Sequence, residues 1–264
     1  MQNNKKVIYK SREELKLINE LASSSFITKE QLLDIKKYYD ENVPYHNFLH
    51  VLNVAGKVLE LLLADDFNLI EIKSLFLAAL FHDAGHTGMA ENLDEFKSLD
   101  IALGAIEKFE KKYNYLGIDN SIIRKAIIGT VFKNRGKNTN KYAIIMADLD
   151  ISSLGTDFLE FLYTSDFGMA LEIGKYKNKE LDIKDWFSDV GYFKFLMGID
   201  KNIYRNEKIK KQLLQKSLEN IKKYIKIQKN NFCLENGKNI EEIFNYWKYN
   251  EITLEEFKKY FYKN

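Results

Sequence analysis

The four histidines of the chain all lie between residues 46 and 86, as two pairs with His-x-x-x-His spacing, His46/His50 and His82/His86. Residues four apart share one face of a helix, so each pair can aim two imidazoles into one space. His82 is followed at once by Asp83, and Gly85 immediately precedes His86. Neighbouring residues in mid-helix point about 100° apart, so His82 and Asp83 converge best where a helix ends. A glycine is the residue that lets the chain leave helical geometry there. A carboxylate buried beside several imidazoles is costly unless a cation compensates, and this pairing suits Zn, Mn, Fe or Mg to differing degrees. The apolar run Ala143–Ala147 ends in Asp148, with Asp150 two residues on; a buried carboxylate there would close a coordination shell from the far side. Taken singly, these residues also fit plainer roles, as a hydrogen-bonded core histidine, a turn aspartate and a capping aspartate. Taken together, they predict a divalent-metal site.

Holding such groups in register needs long helices, and the sequence carries their punctuation. Ser11–Glu14 and Thr28–Gln31 have capping-box spacing, a hydroxyl followed three residues later by Glu or Gln. Each opens an apolar stripe, Leu15, Ile18 and Leu21 in one case and Leu32, Ile35 and Tyr39 in the other. Helical patterns continue over 51–63, 69–81, 92–113, 121–133, 141–149, 157–172, 184–198, 207–229, 239–249 and 253–262. The 69–81 segment is apolar almost all round, which predicts a helix through the middle of the protein. There is no alternating strand pattern of useful length and no internal repeat. The expected fold is all-α, one multi-helical domain over 1–264 with a metal site buried between helices. Its motif core covers about 45–150, and the helices of 184–264 pack on it.

Composition narrows the function classes. With 264 residues, 45% hydrophobic and 30% charged, the chain is globular rather than disordered. A net charge of +2 gives no general pull toward nucleic acid. Lys210, Lys211, Lys222, Lys223 and Lys226 cluster on the predicted helix 207–229, above an ordinary stripe of Ile209, Leu213, Leu214, Leu218 and Ile221. They read as a solvated face, not as a nucleic-acid or membrane surface. The single cysteine, Cys233, cannot form an internal disulfide, which fits a reducing compartment. No secretory signal opens the sequence, and the longest apolar run, Leu75–Phe81, is far short of the ~18 residues of a membrane span. The expectation is a soluble, cytoplasmic protein.

The motifs carry a resemblance. His82-Asp83, with a histidine upstream and an aspartate downstream, resembles the HD superfamily of metal-dependent phosphohydrolases. Tyr45-His46-Asn47-Phe48-Leu49-His50 is similar to the Y-H-N-x-x-H signature of the class I cyclic nucleotide phosphodiesterases. His82 to Gly88 is similar to their H-D-x-x-H-x-G segment, and Ala147-Asp148-Leu149 to their A-D-L segment. Small bacterial HD phosphohydrolases look similar too, including a Leu-Gly pair after the aspartate, here Leu154-Gly155. The resemblance implies that His50, His82, Asp83 and Asp148 bind a first metal ion. It implies that Asp83 bridges to a second ion; since no histidine follows His86, that ion would depend on Asp83, water and Glu91 or Glu95, giving one or two divalent ions in all. His46 would be the general acid, His86 would position water, and Tyr45 and Asn47 would shape the pocket wall. No glutamine with the family's purine-binding pattern stands out, since Gln212, Gln215 and Gln228 lie in the Lys-rich segment.

A metal-dependent phosphohydrolase is therefore expected. It would hydrolyse a phosphodiester of a small nucleotide-like molecule with metal-activated water while His46 protonates the leaving oxygen. A phosphomonoesterase of the 5′-nucleotidase kind uses the same parts. A non-catalytic nucleotide or metal sensor is the alternative from another class, and self-association into a homo-oligomer is open.

Overall fold

The computed structural model describes residues 8–24, 26–62, 67–88, 92–115, 117–131, 135–176, 181–189, 191–197 and 202–262. Its elements are α1 (Ser11–Ala22), α2 (Lys29–Lys36), α3 (Phe48–Leu62), α4 (Leu69–Phe81), α5 (Asn92–Tyr113), α6 (Asn120–Thr130) and α7 (Lys141–Asp150). After a 3-10 turn at Ser152–Gly155 come α8 (Phe158–Phe161), α9 (Phe167–Tyr176), α10 (Ile183–Ser188), α11 (Gly191–Met197), α12 (Glu207–Lys229), α13 (Ile240–Tyr249) and α14 (Leu254–Tyr262). The described residues contain no strand, only an isolated bridge between Cys233 and Asn239. The fold is all-α. No helix among them is long and apolar enough to cross a membrane.

The centre of the molecule is α4. Every residue from Ser74 to Phe81 is buried, as a segment apolar on all sides requires, and α3, α6, α5 and α7 pack around it. Its start is fixed by a capping box in which Asn68 and Glu71 bond each other's backbone N–H. The box expected at Thr28–Gln31 is present. The one expected at Ser11–Glu14 is not, because its acids have tertiary partners. Glu14 accepts from the Tyr9 hydroxyl and pairs with Lys36 at 2.8 Å, while Glu13 accepts the Leu254 N–H at 2.9 Å. Charged acceptors gain more from such partners than from a local cap.

Two predicted helices are split. The 157–172 pattern becomes α8, a π-turn at Leu162–Asp166, and α9. The 184–198 pattern breaks into α10 and α11 before Gly191, which has φ of +51°. One hydrophobic cluster runs through the molecule from Ile18 on α1 to Phe257 on α14. The last two helices belong to it, since Ile240, Ile243, Phe244, Trp247 and Phe257 are buried. Lys10, itself buried, ties them to the start of α1 by donating from Nζ to the Trp247 and Asn250 carbonyls at 2.5 and 2.8 Å. Those carbonyls lie at the end of α13, where intrahelical donors run out.

Candidate metal centre and proton-donor pair

At the end of α4, His82 sits as the C-cap. Its Nδ1–H donates to the Ala79 carbonyl at 2.8 Å, one of the last-turn carbonyls that lack a helical donor. The chain then turns tightly, with Ala84 N–H on the Phe81 carbonyl and His86 N–H on the Asp83 carbonyl. Gly85, at φ +74° as its residue type foretold, sends the chain onward. This turn brings His82 Nε2 within 3.2 Å of Asp83 Oδ2. From α3, His50 Nε2 lies 3.5 Å from the same oxygen and 3.0 Å from Asp150 Oδ1. Asp150, the last residue of α7, is also 3.4 Å from His82 Nε2. Two imidazoles and two carboxylates from three helices thus converge on one point.

The donor set fits a divalent ion. Because His82 Nδ1 carries the proton given to Ala79, its neutral ring faces Asp83 with a lone pair. His82 Nε2 and Asp83 Oδ2 are both buried without a hydrogen-bond partner. Two opposed lone-pair atoms in the interior repel unless a cation lies between them. Protons alone would have to supply it. Burial pulls His82 down, yet Asp83 and Asp150 outweigh this and hold its pKa well above the ordinary value. Burial likewise lifts Asp83 and Asp150, and the facing histidines outweigh it and hold both below the usual carboxylate range. A dication held by His50, His82 and Asp83 would answer these lone pairs without the extra proton, with Asp150 beside the two histidines. His50, His82 and Asp83 lie within reach of a single ion.

Asp148, assigned to this set by the A-D-L resemblance, is engaged elsewhere, and Asp150 stands in the cluster instead. The two lie two residues apart on α7 and so point about 200° apart; only one can face α3 and α4. Asp148 faces the start of α12, where Oδ2 accepts the Arg205 and Asn206 N–H groups at 2.8 and 2.7 Å. Its Oδ1 is 3.6 Å from the buried Arg135 guanidinium, which donates to the Ala147 and Ile203 carbonyls. Burial raises Asp148 to about 6 against the pull of those N–H groups and Arg135. It is a clamp between α7, α12 and the loop before α7.

Beside the cluster stands a second group. His46 Nδ1 bonds Glu172 Oε1 at 2.5 Å, and Glu172 Oε2 accepts the Tyr45 and His46 N–H groups at 2.9 and 3.2 Å. Burial would lower the His46 pKa, but Glu172 first and Asp83 next raise it to about 9. A dication between Asp83 and Asp150 would cancel part of that rise and move His46 toward neutrality. His86 stacks on His46 with ring centroids 4.1 Å apart, and its Nδ1 accepts the Gly88 N–H at 3.0 Å. With Nδ1 accepting, Nε2 is the ring nitrogen left to donate. His46, His86 and Glu172 are also close enough to hold an ion. However, the His86 Nδ1 lone pair is committed to Gly88 and Glu172 to His46 and two backbone groups, which is the arrangement of a held proton.

Tyr45 packs against both groups, its ring 4.7 Å from His46 and 4.5 Å from His50 by centroid, while those two rings lie 6.1 Å apart, edge to face. Asn47, expected on the pocket wall, caps α3 by accepting the His50 N–H at 3.2 Å and donating to the Val43 carbonyl. Both line a cavity of about 890 Å³ that extends to Trp247 and Lys248. His50 lines it too, while His46, His82, Asp83 and Glu172 do not, so it meets the cluster on the His50 side. Glu91 and the Glu95 side chain lie outside the described residues.

Sequence reasoning missed Glu172 altogether and noted Asp150 without assigning it. The available signal for Glu172 was a lone acid in the apolar run from Phe167 to Ile173, buried at 4% exposure. No protein-family model matches the chain, and no curated protein matches it either.

Proposed function

We propose that the protein is a metal-dependent phosphohydrolase of the HD type, acting on a phosphodiester of a small nucleotide-like molecule. A bare metal-binding cluster has no use for the charged His46 gripped by Glu172 beside it, and that pair is what supports catalysis over simple binding. His50, His82, Asp83 and Asp150 would hold one divalent ion, of the Zn, Mn, Mg or Fe kind. When bound, such an ion lowers the pKa of a coordinated water and neutralises charge on phosphoryl oxygens.

The remaining work falls to the chain's own side chains. His46, bonded through Nδ1, keeps its deliverable proton on Nε2, on the far side of the ring from Glu172. Transfer of that proton to the departing oxygen avoids a free alkoxide, a contribution of typically 10²–10⁴ in rate. Glu172 orients the ring and stabilises its charged form. His86, with its Nε2 protonated, can donate to an anionic oxygen or to water. Tyr45 packs against both His46 and His50 and limits the ring positions open to them.

The test is hydrolysis by Mn-loaded protein of a panel of cyclic mononucleotides, cyclic dinucleotides, linear dinucleotides and 5′-mononucleotides, with products separated by chromatography. Diester cleavage that disappears with the metal in Asp83→Ala, and slows at least about a hundredfold with metal retained in His46→Asn, supports the proposal. Phosphate release from monoesters alone moves the protein to the nucleotidase side. A panel without any metal-dependent product overturns the enzyme reading in favour of a nucleotide or metal sensor.

A further inference from the structure

Asp166 is a buried carboxyl that the proposed chemistry does not use. It ends the π-turn Leu162–Asp166 and has no exposed surface. Among the described residues no cation neutralises it; the groups facing it are the Trp186 indole N–H, 3.0 Å from Oδ1, the Tyr224 hydroxyl and the Tyr192 backbone N–H. These come from α10, α12 and α11, so four elements meet at one carboxyl. The meeting requires Gly191, where a Cβ would stand 2.6 Å from the Trp186 indole nitrogen. An uncompensated acid is an expensive way to join helices that apolar packing already joins. Extra turns of π-type within helices are frequent near functional sites.

Two lines lead from Asp166 to the proton-donor pair. Along α9, Gly168 lies so close to the loop before α3 that a Cβ would be 2.7 Å from the Pro44 carbonyl oxygen. One turn further on, Glu172 takes the Tyr45 and His46 N–H groups and the His46 ring. Through α11, the Tyr192 hydroxyl lies 3.3 Å from that of Tyr45, whose ring packs against both His46 and His50. The carboxyl therefore anchors both the residue that charges His46 and the residue against which its ring rests.

We propose that Asp166 is a positioning residue for the proton donor, setting the register of α9 and the placement of Tyr192 and through them the orientation of His46. The inference rests on the reading of His46–Glu172 as the proton-donating pair. A donor held out of line slows departure of a basic leaving group most, because an acidic leaving group departs with little help.

The experiment compares Asp166→Asn and Tyr192→Phe with the unaltered protein, all Mn-loaded, on 4-nitrophenyl methyl phosphate and phenyl methyl phosphate. Metal content and thermal melting are measured alongside. The expected result is unchanged metal content with phenyl ester hydrolysis slowed about tenfold or more and 4-nitrophenyl ester hydrolysis slowed less than about threefold. Equal slowing of both esters, or no slowing of either, overturns the proposal. If the unaltered protein cleaves neither ester, the phosphohydrolase reading is what has failed, and ring ¹H–¹⁵N spectra of the histidines in Zn-loaded protein decide the positioning claim. Displaced His46 signals with unmoved His82 signals in both variants support it, and unmoved His46 signals overturn it.

Discussion

Changing carboxylate to amide at two positions two residues apart separates a metal ligand from a structural clamp. Asp150→Asn removes the charge of a group 3.0 Å from His50 Nε2 and 3.4 Å from His82 Nε2. Removing a residue that merely orients a ligand costs about 10–100-fold in metal affinity, so loss of a charged ligand is expected to cost at least about a hundredfold, or about 2.7 kcal/mol. Asp148→Asn keeps an acceptor for the Arg205 and Asn206 N–H groups but leaves Arg135, 3.6 Å away, without the counter-charge it has among the described residues. A hydrogen bond to a charged group is worth about 1.5–3 kcal/mol. The long contact to Arg135 and the two carbonyls it retains place the loss near 2 kcal/mol. At about 2–4 °C per kcal/mol for a chain of this size, the melting temperature falls by about 4–8 °C. Competition titration with Zn and a chromophoric chelator reads the first variant, and metal-free thermal unfolding reads the second. Weakened metal binding in Asp148→Asn with native affinity in Asp150→Asn would refute the assignment and restore the A-D-L aspartate as ligand.

Three further outcomes follow from the packing. Gly168→Ala forces a methyl against the Pro44 carbonyl, at a cost of about 1–3 kcal/mol; turnover is expected to fall while metal content stays constant, and unchanged turnover refutes the α9–Pro44 contact as a constraint on Glu172. Burial raises Asp166 from 3.8 to about 7, so the folded state binds its proton more tightly than the unfolded chain does. That stabilisation is full below the unfolded value and is lost as pH rises through about 7, a difference of roughly 2–4 kcal/mol. Asp166→Asn should therefore be more stable than the native protein in urea at pH 8 and gain little at pH 4, and an equal effect at both pH values contradicts this. Truncation after residue 236 removes Ile240, Phe244, Trp247 and Phe257 from the core and the α13 carbonyls from Lys10. The product is expected to lack a cooperative thermal transition, and a soluble fragment that melts cooperatively argues otherwise.

The parts of the site that were legible in sequence obey local rules. His46 with His50, and His82 with Asp83 at a helix end before a glycine, follow from helical periodicity and backbone freedom alone. The burial of α4 was legible because no side of it is polar. The choice between Asp148 and Asp150 was not, since it depends on how α7 is rotated against α3 and α4. Asp148 ends up buried and Asp150 half-buried, and both are acids on one short helix, so polarity does not distinguish them. Glu172 was hidden for a related reason. It lies 126 positions from His46, and the helix presenting it is interrupted by a π-turn that shifts the apolar periodicity. The failed capping box at Ser11 is the opposite error, in which a correct local pattern lost its acids to Lys36 and to the backbone of α14.

The tie between Lys10 and α13 also bears on the order in which the molecule is built. Lys10 and the Trp247 carbonyl are separated by 237 positions, and closing a loop of that length costs about 5 kcal/mol in chain entropy. During synthesis, on the order of tens of seconds pass before the partner of Lys10 is made. Over that interval α1 can lay Ile18 and Leu21 against α3, but of its three carbonyl partners the lysine has only that of Ile8, and Glu13 still lacks the Leu254 N–H. The helix written first is thus completed last, and the nascent chain carries a lysine and one acid, Glu13, whose remaining partners arrive only when α13 and α14 dock.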